Sequence, residues 1–166
     1  MNMLVLTIFP ALMAFAASSD LLTMRISNKL VLALIVGFIV LATVIGMPMS
    51  QFAVHLGIAA LVLIVAFTFF TFGWMGGGDA KLAAATALWL GSSATIPYLV
   101  YAALGGGVLT LAILFARKMP LPPQLIRFGW IERLHSKFTG IPYGIALAAA
   151  GLLVYPQSII FVYFAG

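Results

Sequence analysis

The sequence predicts an all-α, polytopic membrane protein of about six transmembrane helices, organised as a single membrane-embedded domain over residues 1–166. Composition is the first reason. Hydrophobic residues make up 64% of the chain and charged residues 7%, against roughly 45–50% and 25% in soluble domains. At a mean hydropathy of +1.23 the apolar surface exceeds what one small core can bury, so lipid must cover the remainder. Segmentation is the second reason. Apolar stretches run over about 1–19, 30–47, 52–73, 80–94, 96–116 and 141–164, near the ~17–25 residues a helix needs to cross hydrocarbon. Continuous apolar runs, rather than alternation with period two, favour helices over a barrel. Charge placement is the third. All eight Lys and Arg residues lie in or beside the first, third and fifth connections, which a six-span chain puts on one side. Retention of basic residues in the cytosol makes that side cytoplasmic and leaves both termini external.

The first stretch ends in Ala14-Phe15-Ala16-Ala17-Ser18-Ser19, which resembles a signal-peptide cleavage region. No Lys or Arg precedes it, and a signal peptide needs a basic start, so it is expected to remain as a span. Asp20 closes it, and the first connection carries Arg25 and Lys29. The second and third stretches are uninterrupted. Between the third and fourth lies Gly73-Trp74-Met75-Gly76-Gly77-Gly78-Asp79-Ala80-Lys81-Leu82. Gly105-Gly106-Gly107, inside the fifth stretch, suits close helix packing. The connection over 117–140 is long, basic and expected to be cytoplasmic. It opens on Pro120-Leu121-Pro122-Pro123 and then sets Trp130, Ile131, Leu134 and Phe138 on an approximate helical face, the pattern of an interfacial helix against anionic headgroups. Tyr98, Tyr101 and Tyr163 toward one interface, and Trp74 and Trp130 toward the other, fit aromatic belts.

Several chemistries are disfavoured at once. Cysteine is absent, which removes thiol nucleophiles, disulfides and cysteine-based metal centres. His55 and His135 are expected on opposite sides of the membrane, so no metal site is expected. Ser18, Ser19, Ser27, Ser92 and Ser93 lack a histidine base on the same face apart from His135, a poor basis for a serine triad. The glycines follow no strand, so neither a phosphate loop nor a dinucleotide fingerprint is indicated. A net charge of +5 spread among long apolar runs serves topology better than nucleic-acid binding. No cofactor is expected.

Asp20 and Asp79 are then the chemically informative residues. Both belong at the cytoplasmic boundary, where a carboxylate beside apolar segments is costly and is usually retained for function. Helix capping is a competing reading for Asp79. It is weaker for Asp20, because an anion at a helix C-terminus opposes the dipole. Three glycines before Asp79 give backbone freedom and an unobstructed approach for a peptide. Two carboxylates brought within a few ångströms do not both ionise easily. One keeps its proton while the other polarises water, as acid–base peptide hydrolysis requires.

Four segments resemble the type IV prepilin peptidases, specifically the short form associated with tight-adherence (Flp-type) pili. Asp20 followed by Arg25-Ile26-Ser27-Asn28 is similar to the family's first aspartate and its Arg-Ile-Pro-Asn element. Gly76-Gly77-Gly78-Asp79-Ala80-Lys81-Leu82 is similar to its Gly-x-Gly-Asp block, continued by Ala84-Ala85 and Leu88-Trp89-Leu90-Gly91. Ile141-Pro142-Tyr143-Gly144-Ile145-Ala146 resembles the Pro-Tyr/Phe-Gly-Pro signature that opens the last helix. Ser27 and Ile145 stand where prolines are frequent.

The resemblance implies a membrane aspartic endopeptidase that removes the short leader of type IV or Flp-type prepilins at the cytoplasmic face of the bacterial inner membrane. It implies no N-methyltransferase activity, since the paired-cysteine domain of the longer bifunctional enzymes has no counterpart here. Asp20 and Asp79 would be the catalytic pair. Gly76 and Gly78 would shape the approach to Asp79, and Pro142, Tyr143 and Gly144 would line the far wall. Asn28 would brace the first loop or cap the second helix; Arg25 and Lys81 would bias the pair's ionisation or merely report topology. Partners would be a prepilin and the bilayer; oligomeric state is not legible. Three other readings compete: a proton or ion transporter subunit using membrane carboxylates, a presenilin-like intramembrane protease acting on other substrates, and a purely structural assembly component with a degenerate site.

Overall fold

The computed structural model describes residues 2–165, with side chains from residue 6 onward, and these residues form eight α-helices and one 3-10 turn. In chain order they are α1 (Asn2–Thr23), α2 (Asn28–Val44), α3 (Met49–Thr71), α4 (Gly77–Ala116), α5 (Pro123–Ile126), α6 (Gly129–His135), α7 (Tyr143–Val154), the turn Tyr155–Gln157, and α8 (Ile159–Ala165). The all-helical expectation stands. Three helices, over Leu6–Thr23, Met49–Thr71 and Gly77–Ala116, are long and apolar enough to cross a membrane. A fourth span is reached if α7 and α8, bent by 53° at their junction, count together. At 17 residues α2 is shorter than these.

The difference from six arises mostly in α4. Forty residues of straight helix would reach about 60 Å, twice the hydrocarbon thickness. Gly91, at φ 66° and ψ −162°, breaks the helical path, in a backbone region open essentially only to glycine. Beyond it the chain returns. A straight helix would hold Gly106 about 40 Å from Asp79. Yet Gly106 packs on Tyr143, the neighbour of Gly144, whose amide bonds Asp20, and Asp20 shares a cavity with Asp79. The fourth and fifth apolar stretches are therefore two arms of a helical hairpin with its break at Gly91, a few residues earlier than the sequence boundary near 95.

The first arm of α4, over 77–90, is the centre of the bundle, with every side chain from Leu82 to Leu90 buried. Its run Ala83-Ala84-Ala85-Thr86-Ala87 lets neighbouring helices approach closely, the usual basis of packing where lipid removes the hydrophobic drive. Trp89 anchors this arm to α2 by donating from Nε1 to the Leu34 carbonyl at 2.9 Å. Phe9 and Phe38 pack against its ring, with centroids at 5.1 and 6.2 Å. At the break, His55 of α3 stacks on Phe38 and donates from Nδ1 to the Leu88 carbonyl at 2.7 Å. His55 thereby ties α3 to the last turn of α4 before the break.

The 117–140 connection contains two short helices rather than one longer one. Ser136 is extended at φ −64° and ψ 132° and ends α6 at His135, so Phe138 lies past the helix, fully exposed, instead of on its apolar face. Arg117 organises this connection. Its Nε donates to the Leu134 carbonyl at 2.9 Å, and its Nη2 to the carbonyls of Thr139 and Gly140 at 3.1 and 3.0 Å. Thr139 Oγ1 in turn donates to the Arg133 carbonyl.

Candidate active site

Asp20 lies in the last turn of α1, and Met24, at φ 55°, reverses the chain directly after it. Its carboxylate is 5% exposed, and its Oδ2 accepts the Gly144 backbone N–H at 2.7 Å. Gly144 is the second residue of α7, behind the fully buried N-terminal flanking residue Pro142. The first N–H groups of a helix have no partner within it and carry the positive end of its dipole. Asp20 opposes the dipole of its own helix and is compensated by that of α7.

Asp79 occupies the third position of α4, behind Gly76 as N-cap. It is 9% exposed and reaches back over Gly76, its Oδ2 2.8 Å from where a Gly76 Cβ would stand. An acidic residue at this helix position commonly turns back in this way toward the N-cap backbone. Asp79 therefore is not the N-cap that the sequence allowed it to be: Gly76 holds that position, and the carboxylate turns back toward it from within the first turn while also facing a cavity.

That cavity has a volume of about 650 Å³ and brings both aspartates together with residues of the first connection and the glycine run. Ser19, Thr23, Arg25, Ile26 and Ser27 form one side; Gly76, Gly77 and Gly78 form the other. Ser19 Oγ and Thr23 Oγ1 donate to the Arg25 carbonyl at 2.9 and 3.3 Å, holding the turn tightly. Ser27 Oγ accepts the Leu30 N–H at 3.2 Å as N-cap of α2, the capping role that the sequence offered to Asn28. Asn28 Oδ1 instead accepts from Lys81 Nζ at 3.1 Å, joining the first connection to α4 beside the site.

Of the residues singled out by sequence, Asp20, Asp79, Gly76, Gly78 and Arg25 line this cavity, and Gly144 touches it through Asp20. Lys81 and Asn28 brace its rim. Tyr143 turns the other way. Its ring packs 3.2 Å from where a Gly106 Cβ would stand, its hydroxyl shares a 3.0 Å hydrogen bond with Thr110, and it lines a separate apolar cavity beside α3 and the second arm of α4. Two contacts were not legible in the sequence. Ile26 lies between Gly78 and Gly144, and Arg133 Nη1 donates to the Leu22 carbonyl at 2.7 Å, placing a cation at the C-terminal end of α1. Among the described residues, no group of three or more His, Asp or Glu side chains comes together as a metal site would need.

The geometry is that of two buried carboxylates, from helices distant in sequence, facing one cavity. A family model described as the type IV leader peptidase family matches residues 7–111, a segment that includes both aspartates and ends before Pro142. No curated protein and no solved structure is matched by the chain.

Proposed function

The chain belongs to the type IV leader peptidase family, and from that premise we propose that it is an aspartic endopeptidase whose Asp20 and Asp79 remove the leader of a Flp-type prepilin. The observation that carries this reading is the shared cavity, in which both carboxylates are nearly sealed from solvent yet border the same open volume.

In the proposed reaction a water molecule is held between the two side chains. One carboxylate accepts its proton as the oxygen attacks the scissile carbonyl; the protonated partner donates first toward the carbonyl oxygen and then to the departing amine. Gly144 N–H holds Asp20 in place, which favours a fixed geometry of attack. The unbranched rim at Gly76, Gly77 and Gly78 leaves room for an extended backbone beside Asp79.

In the same reading the enzyme sits in the bacterial inner membrane with six passes, counting α2, each arm of α4, and α7 with α8 as one. The site faces the cytosol and both termini lie outside. Contacts among the basic connections support this orientation: Lys81 meets Asn28, and Arg133 meets Leu22, all at the end of the bundle that holds the aspartates. A substrate anchored by its own hydrophobic helix meets the enzyme within the plane of the bilayer.

Co-expression with candidate prepilins from the same genome, followed by mass spectrometry of the new N-terminus, tests the proposal. Asp20→Asn and Asp79→Asn enzymes should insert normally and accumulate uncut precursor. Full processing by either variant removes that residue from the mechanism. An ion flux in proteoliposomes carrying the protein alone would favour the transporter reading instead.

A further inference from the structure

We propose that Ile26 is the positioning residue that sets the separation of Asp20 and Asp79. Its Cβ stands 3.2 Å from where a Gly78 Cβ would be, with its backbone N and O at 3.6 Å, and its Cδ1 stands 2.9 Å from where a Gly144 Cβ would be. Gly78 immediately precedes Asp79, and Gly144 holds Asp20 through its amide. One apolar side chain is therefore wedged between the two backbone segments that present the carboxylates. Each of those segments has a glycine where Ile26 meets it.

The wedge is itself fixed. The left-handed Met24, the hydroxyls of Ser19 and Thr23 on the Arg25 carbonyl, the Ser27 cap on Leu30 and the Lys81–Asn28 bond hold the connection on both sides of Ile26. A β-branched side chain is stiff at χ1. With no donor or acceptor, it does not compete for the hydrogen bonds of either carboxylate. Two atoms do separate work: the branched Cβ bears on the α4 side, and Cδ1 bears on the α7 side. Ile26→Val removes Cδ1 and should slacken the α7 side, and Ile26→Ala, which also removes both γ carbons, should slacken it further, while the Cβ contact on the α4 side remains in both. The geometric part of this inference stands on the contacts; its consequence for turnover rests on the proposed aspartic mechanism.

The chain contains no cysteine, so an Asp20→Cys/Asp79→Cys double variant offers a clean gauge of separation in membranes. A disulfide forms only when the two Cβ atoms come within ≈ 3.5–4.5 Å. With Ile26 present, mild oxidation should cross-link the pair poorly. Ile26→Ala should raise the yield several-fold, with Ile26→Val between. Equal yields in the three backgrounds overturn the proposal, whether high or low.

In the chain with both aspartates, Ile26→Ala should lower kcat by about 10-fold to 100-fold with little change in KM, because small misplacements of reacting groups cost this much. Ile26→Val should again be intermediate. A defect carried by KM, or one that tracks a loss of folded protein, overturns the positioning role. If cross-linking responds as expected while no prepilin is cut by the native enzyme, the spacer assignment holds and the proposed function fails.

Discussion

Gly144 donates its backbone N–H to the Asp20 carboxylate at 2.7 Å across 124 positions of sequence. The contact joins the end of the first helix to the start of α7 and places a negative side chain at a helix N-terminus that complements it. A Cβ at Gly144 would stand 2.8 Å from Asp20 Oδ2 and 2.9 Å from Ile26 Cδ1. Gly144→Ala is therefore expected to displace Asp20 and reduce prepilin cleavage by about 100-fold or more, while the protein still inserts. Initial-rate assays on equal amounts of membrane-extracted enzyme check this, and near-native turnover would show that Asp20 does not depend on that amide.

At the other end of the bundle, Gly91→Ala should destabilise the protein without touching the site. Its φ of 66° and ψ of −162° cost an L side chain on the order of 1–3 kcal/mol. The added Cβ would also meet His55 Cε1 at 2.6 Å. Thermal unfolding in detergent should show a clear drop. Removing the imidazole in the Gly91→Ala/His55→Ala double variant should relieve the collision but leave the backbone strain, so the double variant stays below His55→Ala alone.

The Lys81–Asn28 bond predicts a modest effect. Both side chains are exposed, and an exposed polar contact of this kind contributes roughly 0.2–1 kcal/mol. Lys81→Met and Asn28→Ala should each reduce cleavage a few-fold, and the double variant should be no worse than the poorer single one. Full additivity in that double-mutant cycle would mean that the two residues act separately.

Arg117→Lys should loosen the 117–140 connection specifically. A lysine cannot reproduce the fork that reaches the carbonyls of Leu134, Thr139 and Gly140 together. Faster backbone hydrogen exchange over 129–140, with unchanged exchange in α4 before Gly91, is the expected signature. Identical exchange in both proteins would assign the ordering of this segment to something other than Arg117.

Much of this arrangement was readable from residue pattern. Apolar runs located the helices, and Gly76-Gly77-Gly78-Asp79 marked a helix start with an acid facing a cleft. What escaped was carried by backbone rather than side chains. The service of Gly144 to Asp20 is an N–H, which every residue but proline possesses, so no pattern of residue types announces it. The break at Gly91 hid in Leu90-Gly91-Ser92-Ser93 because the polar residues after it stay helical, with Thr95 Oγ1 donating back to the Gly91 carbonyl at 2.6 Å. Phe138 had the right spacing for the face of α6, but the helix stops at His135, and propensity alone did not reveal that stop. Arg117 and Arg133 were read only as topology signals, although each is committed to particular carbonyls. Ile26, wedged between two glycines, belongs to a motif whose charged and amide residues drew the chemical attention.

Because Asp20 obtains its amide partner from α7, the groups that the proposed mechanism brings together are synthesised 124 positions apart. A nascent or truncated chain that already contains both aspartates still lacks that partner, and is expected to remain inert toward peptides in the surrounding bilayer. Under the proposed mechanism, protection against premature proteolysis would follow from the order of assembly.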